Sequence, residues 1–306
     1  MSPPHELILH HYDPSPFSEK VRLVFGLKRL SWRSVIQPMV LPKPALMPLT
    51  GGHRRTPVLQ IGADVYCGTD LIAAELERRF PVPTIFPDGC RGLALIASLW
   101  ADEVLFRPSS SYAIRQASRF PPEFYRDRAA MRGHAPVEPE RLAAEAPHYL
   151  EQLQIQLGHV EEALADGRAF LFGSAASIAD FAAYARLWWA QLFEGDRGEL
   201  AALPRVAAWC RRVAAVGHGE RREMTPGEAL AAARPAEPET PRASEESMLV
   251  HVGDRVSMAV EGHGPDPVEG EVAAVAASSV ALRRNHPAVG TVVVHLPRQG
   301  YAVRRL

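Results

Sequence analysis

The sequence predicts three successive architectures: an α/β domain over residues 1–83, an all-α domain over 89–234, and a small all-β domain over 248–306 reached through a linker at 235–247. Three observations carry this. Between residues 6 and 80, short apolar runs flank one amphipathic stretch and then pair across a glycine turn. From about Gly89 to Arg234 the chain turns rich in Ala, Leu and Arg with helical spacing. Beyond the linker, valines recur at alternate positions in short runs broken by Gly-Asp, Gly-Pro and Asn-His-Pro.

In the first region Leu7-Ile8-Leu9 reads as a strand, Ser15 to Lys28 as a helix and Ser34-Val35-Ile36 as a second strand. Pro57 to Ile61 and Val65-Tyr66-Cys67 read as a hairpin turned at Gly62-Ala63-Asp64, and a helix follows from Thr69 to Phe80. In the second region Leu93, Ile96, Trp100 and Val104 have the three- and four-residue spacing of an apolar helix face. Leu142 to Leu164 repeats that pattern, and Ile178 to Leu192 is apolar enough for a central buried helix. Ser177-Ile178-Ala179-Asp180 is a capping box in which the hydroxyl takes the Asp180 N–H and the carboxylate reaches back, which makes Asp180 a folding residue. Thr225-Pro226-Gly227-Glu228 has the same form.

Residues 235–247 carry three prolines and four glutamates with no apolar periodicity, as a linker does. The runs Val256–Val260, Glu271–Ala273, Val280–Leu282 and Val292–Leu296 then predict a small barrel of SH3-like type. About sixty residues are marginal alone, so the barrel should pack against the rest of the chain or a dimer partner. Because the linker has no apolar face to lose, removal of 235–306 is expected to leave a folded core.

Composition narrows the function classes. The 34 Lys and Arg against 35 Asp and Glu give a net charge of −1, and the last 59 residues hold six arginines and five acids, so nucleic-acid binding lacks its basic footprint. No apolar run reaches the ~18 residues of a membrane span, and Met-Ser-Pro-Pro-His-Glu does not resemble a leader, so the expected location is cytoplasmic. Cys67, Cys90 and Cys210 have no metal-like spacing and read as reduced thiols, with no metal expected.

Three motifs carry chemistry: Ser15-Pro16-Phe17-Ser18 at a helix start, Arg55-Thr56-Pro57-Val58-Leu59 at a strand start, and Cys67-Gly68-Thr69-Asp70 at another helix start. A proline ahead of an apolar strand pair belongs at an edge, bulge or strand start. If Thr56-Pro57 is cis, the chain turns there and leaves the Val58 N–H and C=O for an extended peptide. A helix N-terminus at Ser15 presents free N–H groups and partial positive charge to an anion, and the hydroxyl either caps the helix or adds a donor.

With these motifs the region 6–80 resembles the thioredoxin-like domain of the glutathione S-transferase family, and the helical stretch after it has about the family's length. The resemblance implies glutathione as co-substrate, a small-molecule electrophile, and a homodimer. It places Ser15, of the serine type seen in zeta-like members, as the group that stabilises the glutathione thiolate, with Tyr12 and Ser18 as substitutes. Pro57 and Val58 would hold the peptide backbone and Thr69 the γ-glutamyl carboxylate; Gln60 with Arg54-Arg55 would reach the glycyl carboxylate, the other reading of the two arginines being a solvated surface. The family usually has an acid or amide before Thr69; here Gly68 stands there, and Asp70, one residue later, either compensates or only complements the helix dipole. Serine at positions 15 and 18 disfavours thiol–disulfide exchange, which needs a sulfur nucleophile. Tyr112, Trp188 and Trp189 are pocket or core aromatics. A glutathione-dependent isomerase would use the same site, and a non-catalytic scaffold or interaction protein would keep the fold while the C-terminal domain, which the resemblance does not cover, supplies the function.

Overall fold

Strands β1 (Leu7–His11), β2 (Ser31–Ile36), β3 (Val58–Ile61) and β4 (Asp64–Cys67) make the first sheet, with β1 parallel to β2 and antiparallel to β3. In this computed structural model the described residues are 6–115, 119–135, 139–190, 202–239, 247–262 and 266–306. All five residues of β1 are buried because the strand is covered on both faces. Leu7 and Leu9 join the core formed with helix α1 (Pro16–Leu27) and helix α3 (Thr69–Arg79), while Ile8 packs with Val35 against a different helix. The hairpin β3–β4 turns at Gly62, whose φ is +62°, and the Thr56–Pro57 peptide ahead of it is cis. A short helix α2 (Met47–Thr50) lies between β2 and β3.

The helical region contains α4 (Arg91–Trp100), a π-helical turn at Ala101–Leu105, α5 (Phe106–Ala113), α6 (Pro122–Met131), α7 (Pro139–Ala163), α8 (Ile178–Ala190) and α9 (Pro204–Ala214). Helix α8 is the buried centre of this region, as its apolar run predicts. Asp180 accepts from the Ser177 N–H (2.8 Å), the Ser177 hydroxyl (2.6 Å), the Leu171 N–H and the Trp209 indole (each 2.8 Å). The Ser177 hydroxyl thus donates to the carboxylate, where the sequence predicts that it accepts from the Asp180 N–H. Thr225 and Glu228 form the complete reciprocal box.

Two features of this region depart from expectation. Leu93, Ile96 and Val104 are 61%, 67% and 52% exposed, because α4 turns its small residues Ala94 and Ser98 inward, the π turn after it buries Ala101 and Leu105, and the apolar stripe of both is left uncovered within one chain. The segment after α9 is not wholly helical: β5 (Glu220–Glu223) pairs parallel with β2, and helix α10 (Pro226–Ala233) lays Ala229 on Ile8 and Val35. The approach to β5 requires Gly26, where a Cβ would come within 1.9 Å of the Gly217 carbonyl oxygen.

Beyond residue 247, β6 (Arg255–Val260), β7 (Val268–Val275), β8 (Ser279–His286) and β9 (Gly290–Pro297) form an antiparallel meander, and β10 (Tyr301–Arg305) returns to pair with β6. This small β domain is continuous with the first sheet. Strand β9 pairs parallel with β4, Asp64 opposite Val293 and Tyr66 opposite His295, giving ten strands in the order β10-β6-β7-β8-β9-β4-β3-β1-β2-β5. Leu46, Leu49, Val58, Val65 and Cys67 share one core with Met258, Val272, Leu282, Val294 and Leu296. The bare linker therefore misleads about independence, because the apolar surface that joins the domains lies on β4 and α2.

Candidate functional site

Strand order brings the three motifs to one end of the first sheet. Val58 begins β3 in register with His10 near the end of β1 and with Cys67 at the end of β4. The chain leaves β1 for Ser15 and α1, and leaves β4 for Thr69 and α3.

Ser15 is the N-cap of α1, with extended φ −118° and ψ 118°, and Pro16 occupies the first helical position. Its Oγ accepts the Ser18 N–H at 3.1 Å, and its own N–H donates to the Asp13 carbonyl at 2.8 Å. An accepting hydroxyl keeps its proton to donate. Ser15 and Ser18 are both fully buried, and the Ser18 Oγ has no hydrogen-bond partner among the described residues. Tyr12 accepts from Arg128 Nη2 at 3.3 Å, so it is tied to α6.

Thr69 is the first residue of α3, one position inside the cap, which is Gly68 at φ +92°. That conformation favours glycine, and a Cβ there would stand 2.9 Å from Pro297 Cγ of the C-terminal domain. The departure from an acid or amide at position 68 thus has a steric cause. Thr69 Oγ1 accepts from Lys20 Nζ at 3.3 Å, and the same ammonium reaches Asp70 (2.6 Å), Asp102 (2.7 Å) and Ser98 (2.9 Å). Burial pushes the Lys20 pKa down, but Asp102 and Asp70 outweigh it and hold the ammonium above the ordinary lysine range. Asp102 is shared with Arg186, whose guanidinium lies 4.0 Å from the centroid of the Phe17 ring. Burial raises Asp102, and Lys20 and Arg186 more than reverse this. The arrangement ties α1, α3, α4, the π turn and α8 together.

Gln60 does not join the cradle: its amide is buried, donates to the Gly62 and Ala229 carbonyls and pairs with His10 at 2.8 Å. Trp189 stacks on Phe120 with ring centroids 5.3 Å apart, Trp188 lies under Arg22, and Tyr112 is buried in the main core. Sequence reasoning missed Lys20, Asp102 and Arg186. The available signal was an arginine inside the most apolar helix, since Arg is rarely buried without a partner. Among the described residues no group of three or more His, Cys, Asp or Glu is placed to hold a metal ion, and no helix is long and apolar enough to cross a membrane.

Residues 9–84 match the family described as glutathione S-transferase, N-terminal domain, and residues 141–212 match its C-terminal domain. A GST-like protein from Pseudomonas syringae superposes with a TM-score of 0.74 at 35% identity, over 99% of this chain and 100% of that one. A glutathione S-transferase from Rhodospirillum rubrum F11 (TM-score 0.54, 21% identity, 68% of this chain and 87% of that one) shares the fold. So does FzlA from C. crescentus (0.54, 24%, 74% and 92%). No curated protein matches the chain.

Proposed function

Since the chain belongs to the glutathione S-transferase family, we propose that it binds glutathione along the start of β3 and the start of α3 and activates the thiol at the start of α1. The observation that carries this reading is Ser15: an N-cap hydroxyl that accepts the Ser18 N–H and keeps its own proton, at the positive end of a twelve-residue helix. The thiol gives its proton to solvent. Its sulfur then bonds to the electrophilic carbon of a small molecule, and either the leaving group departs with its electron pair or the adduct takes up a proton. A donated hydrogen bond to the thiolate of ~1.5–3 kcal/mol corresponds to about one or two pKa units. Pro57 and Val58 form the backbone side of the site, and Thr69 and Asp70 the γ-glutamyl side. The resident ammonium of Lys20 already bonds both of the latter.

The uncovered stripe Leu93, Ile96 and Val104 supports the homodimer. A cytoplasmic location and SH3-like character for the C-terminal meander belong to the same proposal, the latter supported by β10 closing on β6. A second reading, a non-catalytic scaffold, is favoured by the combination of Gly68 with a Lys20 that already bonds Thr69 and Asp70. Calorimetry with glutathione separates the two. Saturable binding at millimolar ligand, with conjugation of a model electrophile, supports the transferase or an isomerase on the same site; absence of binding leaves the scaffold.

A further inference from the structure

The continuous sheet has two outer edges, and the chain treats them differently. At one edge β5 is charged throughout and compensates itself: Arg222 pairs with Glu220 at 2.5 Å, and Arg221 pairs with Glu223 and with Asp13, each at 2.7 Å. Charged side chains along an edge keep other strands from adding to it. At the other edge stands β10, where Tyr301, Ala302 and Val303 are followed by Arg304 and Arg305.

The ladder with β6 fixes which backbone groups of β10 are spare. The Glu261 N–H donates to the Gly300 carbonyl and the Leu306 N–H to the Arg255 carbonyl, each at 2.9 Å, at the two ends of an unbroken register. Antiparallel pairs alternate, so Ala302 and Arg304 turn their N–H and C=O toward β6, while Tyr301, Val303 and Arg305 turn theirs away. Among the described residues no hydrogen bond takes up the backbone groups of Tyr301, Val303 and Arg305. Side chains alternate as well. Tyr301 and Val303 pack on the core shared by the two domains, whereas Ala302 and Arg304 are exposed on the opposite face. Arg305 meets Asp254 at 3.3 Å, and Arg304 forms no ion pair among the described residues.

We infer that the outer edge of β10 is a docking site for an extended acidic peptide of a partner protein, which adds to the sheet as a further strand. The peptide backbone pairs with Tyr301, Val303 and Arg305, its apolar residues continue the core face beside Val303, and its alternate carboxylates stand beside Arg304. A second copy of this chain fits worse. In the antiparallel register of fullest overlap, Val303 of one copy lies opposite Val303 of the other, which sets their Arg304 side chains diagonally across from each other with like charge. The inference does not rest on glutathione binding.

The test is fluorescence anisotropy on the full chain with a labelled synthetic peptide of about eight residues alternating Glu and Val, long enough to span a strand. It is expected to bind saturably and one to one, about tenfold or more tighter than the same peptide with Lys in place of Glu. Methylating the backbone nitrogens of either its valines or its glutamates should abolish binding, and methylating the other set should spare it, because one alternate set faces β10. Arg304→Glu should weaken the acidic peptide by about tenfold. Val303→Pro removes an outward N–H without touching the ladder to β6 and should abolish binding. Thermal midpoints near the wild-type value verify that both variants fold, and Arg304→Glu, a change on an exposed side chain, keeps the test decisive should Val303→Pro fail to do so. No saturable binding at millimolar peptide, equal affinity for the Lys peptide, indifference to methylation at both sets, or unchanged affinity in Arg304→Glu overturns the inference. So does a dimer of the wild-type chain that Val303→Pro dissociates, since a second copy would then cover the edge.

Discussion

Tyr66 and His295 stack face to face, their ring centroids 4.3 Å apart and their planes 8° from parallel, although 229 positions separate them in the chain. The contact marks the join between two sheets. His295 Nε2 also meets Asp64 Oδ1 at 2.8 Å, and the other oxygen of Asp64 accepts the Glu239 N–H at 2.7 Å. A sheet edge at β4 would otherwise present unpaired backbone to solvent and to other chains. Here β9 covers it, and Pro297 of the same strand stands where a side chain at Gly68 would reach.

Truncation after residue 234 is accordingly expected to damage the protein. It would uncover the β4 edge together with Leu46, Leu49, Val58 and Val65 of the shared core. Burial of each such side chain contributes about 1.5–3 kcal/mol, so losing several consumes most of a typical stability of ~5–15 kcal/mol. Soluble expression and the thermal midpoint of the truncated chain check this; a soluble monomer melting at the full-length temperature would refute it.

The buried ion cluster gives a second expectation. Lys20→Met leaves Asp102 to Arg186 alone and strips Asp70 of its cation, and breaking a buried pair from one side costs about 3–5 kcal/mol. Urea unfolding should show that loss for Lys20→Met, whereas exposed Arg141→Met should change stability by less than ~0.5 kcal/mol. Comparable effects from the two would mean that the cluster does not brace the domain junction.

Acid should weaken the fold before most carboxylates titrate. Burial holds His10 down to about 4, and holds His11 and His53 down to about 3, with Arg22 adding to the effect on His11 and Arg55 on His53. Below the ordinary histidine pKa near 6.5 the unfolded chain takes up protons that the folded chain refuses, so stability falls as pH drops from about 6.5 toward 4. Each histidine contributes a slope of ~1.4 kcal/mol per pH unit in that window. Unfolding free energies at pH 7.5, 6 and 5 measure it, and His53→Gln should flatten the slope by about one proton. A profile level from pH 6.5 to 5 would show that these rings are protonated in the folded protein.

The parts legible in the sequence were those with local punctuation. The Pro57 strand start, the turn at Gly62 and the box at Thr225 are fixed by neighbours within four residues, and the structure has each of them. Strand β5 was not legible because Glu-Arg-Arg-Glu is charged and exposed; its place comes from pairing with β2. The β4–β9 join and the Lys20, Asp102 and Arg186 cluster unite residues 82 to 229 positions apart, and no periodicity announces such partners. Gln60 shows the converse: near the cradle in sequence, it is turned by strand alternation toward His10 and Ala229.

The last prediction concerns Ser15. Its hydroxyl has two separable roles: as acceptor it caps α1 through the Ser18 N–H, and as donor it would stabilise a thiolate. Ser15→Ala removes both, so a stability loss of about 0.5–2 kcal/mol is expected from the cap alone and proves nothing about chemistry. The informative readout is the pH–rate profile. If the donor acts on developing charge, Ser15→Ala should raise the pKa of bound glutathione and lower kcat with a model electrophile while leaving affinity nearly unchanged. Thr69→Ala should do the reverse, weakening binding with little effect on the saturated rate. Ser15→Cys, with a thiolate at the positive end of α1, should attack glutathione disulfide, forming a mixed disulfide and releasing one glutathione thiolate, and so shift the protein toward thiol transfer. Should Ser15→Ala keep the wild-type profile, the residue is a cap only, and the buried, unpartnered hydroxyl of Ser18 becomes the next donor to replace.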